Sequence, residues 1–214
     1  MSKLITINNL QDYLDEDIGW RQKEISNLKS IIKSEKDKSN TIVRATIPIL
    51  YAHWEGFIKN ASVAYVDYVN NQNKKYNELD ICFVVFGIKK RINELIESKQ
   101  SNLSIETIKF IIEEMDNPAR LMIKNSINTE SNLNSKIFEN IVTSIGLDPN
   151  YYKTYYNLID ESLLKRRNNI AHGKYLDIGD DESLSLADEI VKLIRQFKTD
   201  IEDAASQAKF IRKI

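Results

Sequence analysis

The sequence contains few of the residues that interrupt or cross-link a chain: 6 glycines, 3 prolines and 1 cysteine among 214 residues. The lone Cys82 excludes an internal disulfide and a cysteine-rich zinc site, and its apolar neighbours predict an ordinary buried thiol. A chain with so few turn-forming residues is expected to form long elements, and the spacing of its apolar residues indicates that these elements are helices. We therefore predict an all-α protein.

Long apolar runs and a strong net charge are also missing. No run approaches the roughly 18 apolar residues that a membrane span requires, and the N-terminus lacks the charged start and apolar block of a signal peptide. We expect a cytoplasmic protein with no membrane partner, folded as one domain over residues 1–214. The formal net charge of −1 provides no overall positive field, so binding of nucleic acid would depend on a local basic patch.

Apolar residues recur at spacings of three and four, which predicts an up-and-down bundle of about six to seven helices. The predicted segments are about Leu14–Ile32, Thr41–Asn70, Leu79–Leu95, Ile105–Met115, Ile137–Ile145, Tyr151–Ala171 and Ser183–Ile211. In the first segment, Arg21 occupies the one position of the apolar seam that is not apolar. Pro48 should kink the second helix or mark its true start, and residues 81–86 are β-branched enough to allow a short strand. Gly56 within a helix costs about 1 kcal/mol relative to alanine, which predicts close approach by another helix.

The stretch from Leu163 to Tyr175, LLKRRNNIAHGKY, carries the most chemistry. Arg167 is followed directly by Asn168, and His172 comes five positions after the arginine. Gly173 stands where the helix should end. On a regular helical wheel starting at Leu163, Arg167 lies at the edge of the core stripe, and Asn168 and His172 lie opposite the core. Unless the helix is distorted, His172 should be exposed to solvent or line a second surface such as a dimer interface.

Cations are concentrated in the same stretch. Lys165, Arg166, Arg167 and Lys174 lie within one short segment of an otherwise neutral chain, as expected of a patch that binds phosphate or RNA. A basic helix end closed by glycine is also ordinary architecture. The composition of the segment by itself leaves both interpretations open.

Three stretches of the sequence resemble a known superfamily. Residues Arg167 to His172, RNNIAH, match the R-N-x-x-x-H signature of the HEPN (higher eukaryotes and prokaryotes nucleotide-binding) superfamily. The stretches LYAHWEGFIK (residues 50–59), SNLNS (131–135) and RRNNIAHG (166–173) are similar to the stand-alone MAE-type HEPN proteins of bacteria. Together they span most of the chain.

The resemblance implies a metal-independent endoribonuclease without a cofactor, active as a homodimer whose two signature helices form one composite site. In that role His172 would move the proton, Arg167 would hold the phosphate, and Asn168 would orient the histidine or the scissile group. Such an enzyme would be a toxin or antiviral effector, with an antitoxin or defence-system protein as a possible partner. The alternatives are a non-catalytic HEPN module that binds RNA, nucleotide or a partner protein, and a helical interaction protein.

The resemblance also suggests supporting residues, among them Glu55 and Asn169. Glu55 would pair with Arg167 if the 50–59 stretch packs near the signature helix, although a local partner explains a helix acid equally well. His53 is expected to be a core histidine. The 131–135 loop would either approach the site or serve only as a cap and turn. HEPN toxins controlled by adenylylation carry a tyrosine two residues after the histidine, where this chain has Lys174, which argues against such control.

Overall fold

The computed structural model describes residues 3–34, 39–97, 101–124 and 126–213, and the regular elements within those ranges are helices. The α-helices are α1 (Ile7–Ser34), α2 (Ser39–Asn70), α3 (Ile81–Glu97), α4 (Ser101–Glu113), α5 (Ser135–Ser144), α6 (Arg166–Ala171) and α7 (Asp180–Ser206). A 3₁₀ turn (Tyr76–Glu78) precedes α3. A 3₁₀ segment (Asn150–Tyr155) and a π-helical segment (Leu158–Lys165) precede α6, and we call the continuous helical run of residues 150–171 the compound helix. The predicted all-α fold is confirmed.

The three long helices α1, α2 and α7 pack against one another and form the centre of the core. An aromatic cluster attaches the elements of the C-terminal half to this centre. The Phe138 ring of α5 lies 4.9 Å from the Trp54 ring of α2 and 5.0 Å from the Tyr152 ring of the compound helix. All three side chains are fully buried. The compound helix is therefore held against α2 by packing that begins well before its basic end.

Several predicted boundaries differ from the observed ones. Helix α1 begins at Ile7 rather than at Leu14, because Thr6 and Asn9 cap it reciprocally: each backbone N–H donates to the other's side-chain oxygen at 3.2 Å. Asparagine stands where a capping box usually has Glu or Gln, which hides the signal. The proposed start of α2 at Pro48 is wrong, since α2 runs through this residue, and the alternative of a strand at residues 81–86 is wrong, since they belong to α3.

Arg21 explains the glycine in α2. Its side chain is buried, with only 4% of the residue exposed, and its Nη1 donates to the carbonyl oxygen of His53 at 3.2 Å. A Cβ atom at Gly56 would lie 2.9 Å from the same nitrogen. The predicted close approach is thus real, and the group that approaches is an arginine of α1. The charge of Arg21 is balanced by Asp17, whose Oδ1 accepts from Nη2 at 3.0 Å and from Nε at 3.2 Å.

Candidate functional site

The compound helix determines where the signature residues point. Its π-helical segment buries Ile159, Leu163 and Leu164, a spacing of four and five residues rather than three and four. A π turn contains about one residue more than an α turn, so the wheel built on regular α-helical geometry does not apply beyond this segment. Asn168 is half-buried and in contact with a neighbouring loop, not turned away from the rest of the protein as that wheel predicted.

The end of α6 is fixed by backbone geometry. Gly173 has a φ of 72°. Its N–H donates to the carbonyl of Ile170 at 3.0 Å, while the Lys174 N–H donates to the carbonyl of Asn169 at 2.9 Å. This double pairing around a left-handed residue is a Schellman motif, and it ends the helix at the glycine, where the sequence predicted the end. His172 is the last residue before the turn, and its side chain is exposed.

Arg167 lies on an aromatic platform. Its guanidinium carbon is 4.5 Å from the centre of the Tyr51 ring of α2, within the range of a cation–π contact. Tyr51 is buried, and its hydroxyl oxygen accepts from the Leu133 N–H at 2.7 Å. Burial raises the pKa of Tyr51 to about 12, opposed by the Leu133 N–H, so the phenol stays neutral and holds the loop before α5. The platform thereby joins three distant parts of the chain.

A chain of amide hydrogen bonds continues from Arg167. Its Nη1 donates to Asn168 Oδ1 at 2.7 Å, and Asn168 Nδ2 donates to Asn132 Oδ1 at 3.1 Å. The Asn168 side chain is thus linked to Arg167 and to the loop, whereas its link to His172 is through the backbone, where its carbonyl accepts from the His172 N–H at 3.0 Å. The amide of Asn168 therefore bridges Arg167 and the 131–135 loop.

The 131–135 loop has both of the roles considered for it. Asn134 caps α5 by accepting from the Ile137 N–H at 2.9 Å. Ser135 donates its N–H and its hydroxyl to the carboxylate of Asp160 in the π-helical segment, at 2.7 and 2.6 Å. Asn132, three residues before Ser135, contacts Asn168 of the site. The hydrogen bonds of Asn134 and Ser135 thus fix one end of the loop, and Asn132 near the other end contacts Asn168.

The supporting residues are Glu55 and Asn169, and the sequence suggested that Glu55 pairs with Arg167. Glu55 is half-buried, and among the described residues no ion pair joins it directly to Arg167; both instead act on Tyr51, one raising and the other lowering its pKa. Asn169 is half-buried, and its carbonyl serves the helix end. The contact that links Glu55 to the site is therefore with Tyr51.

The three cations proposed for phosphate binding are not equivalent. Lys165 pairs with Glu161 one turn earlier, and Arg166 pairs with Glu182 of α7. Lys174 is exposed, and its carbonyl accepts from Arg44 Nη2 of α2 at 3.1 Å. The carboxylates offset two of the three charges, so Arg167 and Lys174 are the cations best placed for an anionic ligand.

Sequence reasoning did not single out Tyr51 or Asn132, although the approach of the 131–135 loop to the site was one of the roles considered for it. Both residues fall within the stretches that carry the family resemblance, which was the only signal available. Arg44 was also missed; its guanidinium carbon lies 5.5 Å from the ring centre of Tyr175, which is 74% exposed. These contacts depend on tertiary structure and leave no periodic pattern in the sequence.

His53 and Cys82 lie outside the site. His53 is 3% exposed, with its Nε2 3.0 Å from a carboxylate oxygen of Glu24, so the expectation of a core histidine is confirmed. Burial lowers the pKa of His53, and the nearby carboxylate opposes the shift. Cys82 is half-buried rather than fully buried, and desolvation raises the pKa of its thiol strongly.

In the described ranges, no group of three or more His, Cys, Asp or Glu residues is arranged to hold a metal ion. No helix among the residues that the structure describes combines the length and apolarity needed to cross a membrane.

Comparison with known proteins supports the class that the fold and the signature indicate, an all-α HEPN domain. The chain matches the MAE_28990-like HEPN family over residues 10–210. It therefore belongs to that family. No curated protein and no solved structure is similar enough to count as a match.

Proposed function

We propose that this protein is a metal-independent endoribonuclease in which Arg167 binds the scissile phosphate and His172 transfers protons. The observation that carries the proposal is the set of contacts that Arg167 makes. It is stacked on Tyr51 and bonded to the neutral amide of Asn168, and among the described residues it has no carboxylate partner. A guanidinium held in place without an ion-pair partner is suited to bind a phosphate.

The chemistry follows from what RNA cleavage needs. The 2′-oxygen loses its proton to a base and attacks phosphorus, the bond from phosphorus to the 5′-oxygen breaks, and an acid protonates the leaving oxygen. Positive charge stabilises the phosphorane. The products are a 2′,3′-cyclic phosphate and a 5′-hydroxyl.

One protomer supplies a single histidine in this segment, exposed at the helix end. A homodimer that brings two copies of α6 together would supply both a base and an acid, as well as two arginines. We therefore propose that the active form is a homodimer, and that the cleavage rate per protomer falls on dilution.

The test is cleavage of total RNA and of a tRNA pool by purified protein in EDTA. We expect wild type to cut and His172→Ala and Arg167→Met to lose at least about 100-fold in rate. Arg195→Met is the matched control, because Arg195 is exposed and also donates to a neutral amide, that of Gln22. A 2′-deoxy substitution at the cleaved position of a short substrate should abolish cutting there. Equal rates in wild type and His172→Ala would refute the assignment.

A second candidate, a non-catalytic HEPN module that binds RNA or nucleotide, is favoured by two observations. The His172 side chain has no hydrogen-bond partner among the described residues to orient it, and carboxylates pair with Lys165 and Arg166. If wild type binds RNA without cutting it, and Arg167→Met weakens that binding while His172→Ala does not, this second function replaces the first.

A further inference from the structure

A groove of about 690 Å³ lies between α1 and α2, on residues that the proposed ribonuclease chemistry does not use. Helix α1 contributes Tyr13, Glu16, Asp17 and Trp20, which share one face because they lie three, four and seven residues apart. Helix α2 contributes both polar and apolar side chains, which lie between Lys59 and Asp67. The volume is typical of a ligand site.

The aromatic wall of the groove is open to solvent at Trp20. Trp20 is 50% exposed, whereas the other tryptophan, Trp54, is fully buried. The Trp20 ring is held in place, since its indole N–H donates to Asp17 Oδ1 at 3.1 Å and Arg21 stacks on it at 4.5 Å. A large, fixed and half-exposed aromatic ring offers apolar contact area at little conformational cost.

The charge of the groove is negative. Among the described residues, its lining includes the carboxylates of Glu16, Asp17 and Asp67 and one cation, Lys59. Asp17 is balanced by Arg21, but no ion pair with a described residue balances Glu16 or Asp67. Burial raises the pKa of Asp67, so an arriving cation would relieve the cost of its charge. The same carboxylates oppose the approach of a phosphate backbone.

The length of the groove limits its occupant. Between its helical walls, the groove spans seven steps of α1 (residues 13–20) and eight of α2 (residues 59–67), which is roughly 10–12 Å at 1.5 Å per step. An extended chain rises by about 3.3 Å per residue, so three or four residues fit. This span exceeds a single amine or guanidinium group and suits a short peptide.

We propose that the groove binds a short basic segment of a partner protein, with apolar side chains against Trp20 and Tyr13 and arginine or lysine side chains facing Glu16 and Asp67. Charge complementarity and the open aromatic wall support this occupant. The proposal does not depend on ribonuclease activity, because none of these residues belongs to the candidate site.

The experiment follows the accessibility of Trp20 in the full chain by acrylamide quenching of fluorescence. The probes are a hexapeptide of alternating leucine and arginine and its leucine–glutamate counterpart. We expect the basic peptide to protect Trp20 saturably and the acidic peptide to have no effect. A Trp20→Phe variant should remove the responsive signal and leave the buried Trp54 emission.

Two charge changes in opposite directions make the test specific. Glu16→Lys should weaken binding of the basic peptide about three- to tenfold, and Lys59→Glu should strengthen it by a similar factor. Both positions are exposed, so folding should be retained. Glu106→Lys, the same charge change at an exposed position of α4, should alter binding less than twofold.

Three outcomes would overturn the proposal. The first is the absence of saturable protection by the basic peptide. The second is an equal effect of Glu16→Lys and Glu106→Lys, which would indicate attraction to overall charge. The third is stronger protection by a single-stranded oligonucleotide than by the peptide, which would make the groove a nucleic-acid surface.

Discussion

Arg21 and Arg167 both contact an aromatic ring, but they differ in burial and in their hydrogen-bond partners. Each guanidinium carbon lies 4.5 Å from the centre of an aromatic ring, that of Trp20 for Arg21 and that of Tyr51 for Arg167. Arg21 is buried and bonded to the carboxylate of Asp17. Arg167 is half-buried and bonded to a neutral amide. The difference that separates a structural arginine from one available to a ligand is the presence of an anion beside it.

The two histidines differ in a parallel way. His53 is buried between α1 and α2, beside Glu24 and against the edge of Trp20. His172 is exposed at a helix end. A histidine that must exchange protons with a substrate needs contact with it, which only the second position allows in the free protein.

The largest expected effect comes from removing the structural arginine. Arg21→Met should lower the free energy of unfolding by about 3–5 kcal/mol, because the carboxylate of Asp17 would remain in a mostly buried place without its cation. Urea denaturation would measure this. A double variant with Asp17→Asn should recover part of the loss. A loss below about 1 kcal/mol would show that the buried Arg21–Asp17 pair of α1 contributes little to stability.

Tyr51→Phe should have the next largest effect. It leaves the N–H of Leu133 buried without an acceptor, which costs about 1–3 kcal/mol, while the ring under Arg167 remains. RNA cleavage per folded molecule should therefore survive in Tyr51→Phe and fall in Tyr51→Leu, which removes the ring. Loss of cleavage in both variants, with both folded, would mean that the hydroxyl acts beyond the loop contact.

The buried histidine predicts a dependence of stability on pH. Because burial lowers the pKa of His53 below 6.5 in the folded state, the unfolded chain binds the proton more readily. The stability that follows from keeping His53 neutral is fully present above pH 6.5 and is lost as the pH falls below it. Urea titrations from pH 8 to 5 should show a shallower decline in His53→Gln than in wild type. Glu24→Gln should steepen the decline, because the Glu24 carboxylate opposes the lowering of the His53 pKa. If the dependence of stability on pH is the same in both variants as in wild type, this account is contradicted.

The smallest expected effect on stability is that of Arg167→Met. Loss of a partly exposed cation–π contact costs about 0.5–1 kcal/mol, measured by the same denaturation. Its expected loss of RNA cleavage makes it the counterpart of Arg21→Met, which acts through folding. A destabilisation of 3 kcal/mol or more would place Arg167 with Arg21 among the structural residues.

The sequence was sufficient for features that depend on local pattern. The helices follow from apolar spacing, the end of α6 from Gly173, and the place of Arg21 in the core from its position in the seam of α1. Tyr51 and Asn132 could not be found as site residues in this way, because their roles arise from contacts across 116 and 36 positions of the chain, to Arg167 and Asn168 respectively. Long-range contacts of single side chains have no periodicity to reveal them.

The π-helical segment Leu158–Lys165 has a consequence for how the signature is interpreted. A rotation of about 100° separates neighbouring positions of an α-helix, so one surplus residue in a turn changes the direction of everything after it. The letters R-N-x-x-x-H fix the spacing of three side chains relative to one another. The direction in which these side chains point relative to α2 depends on the π-helical segment before them. Two proteins with identical signatures can therefore direct these side chains to different surfaces.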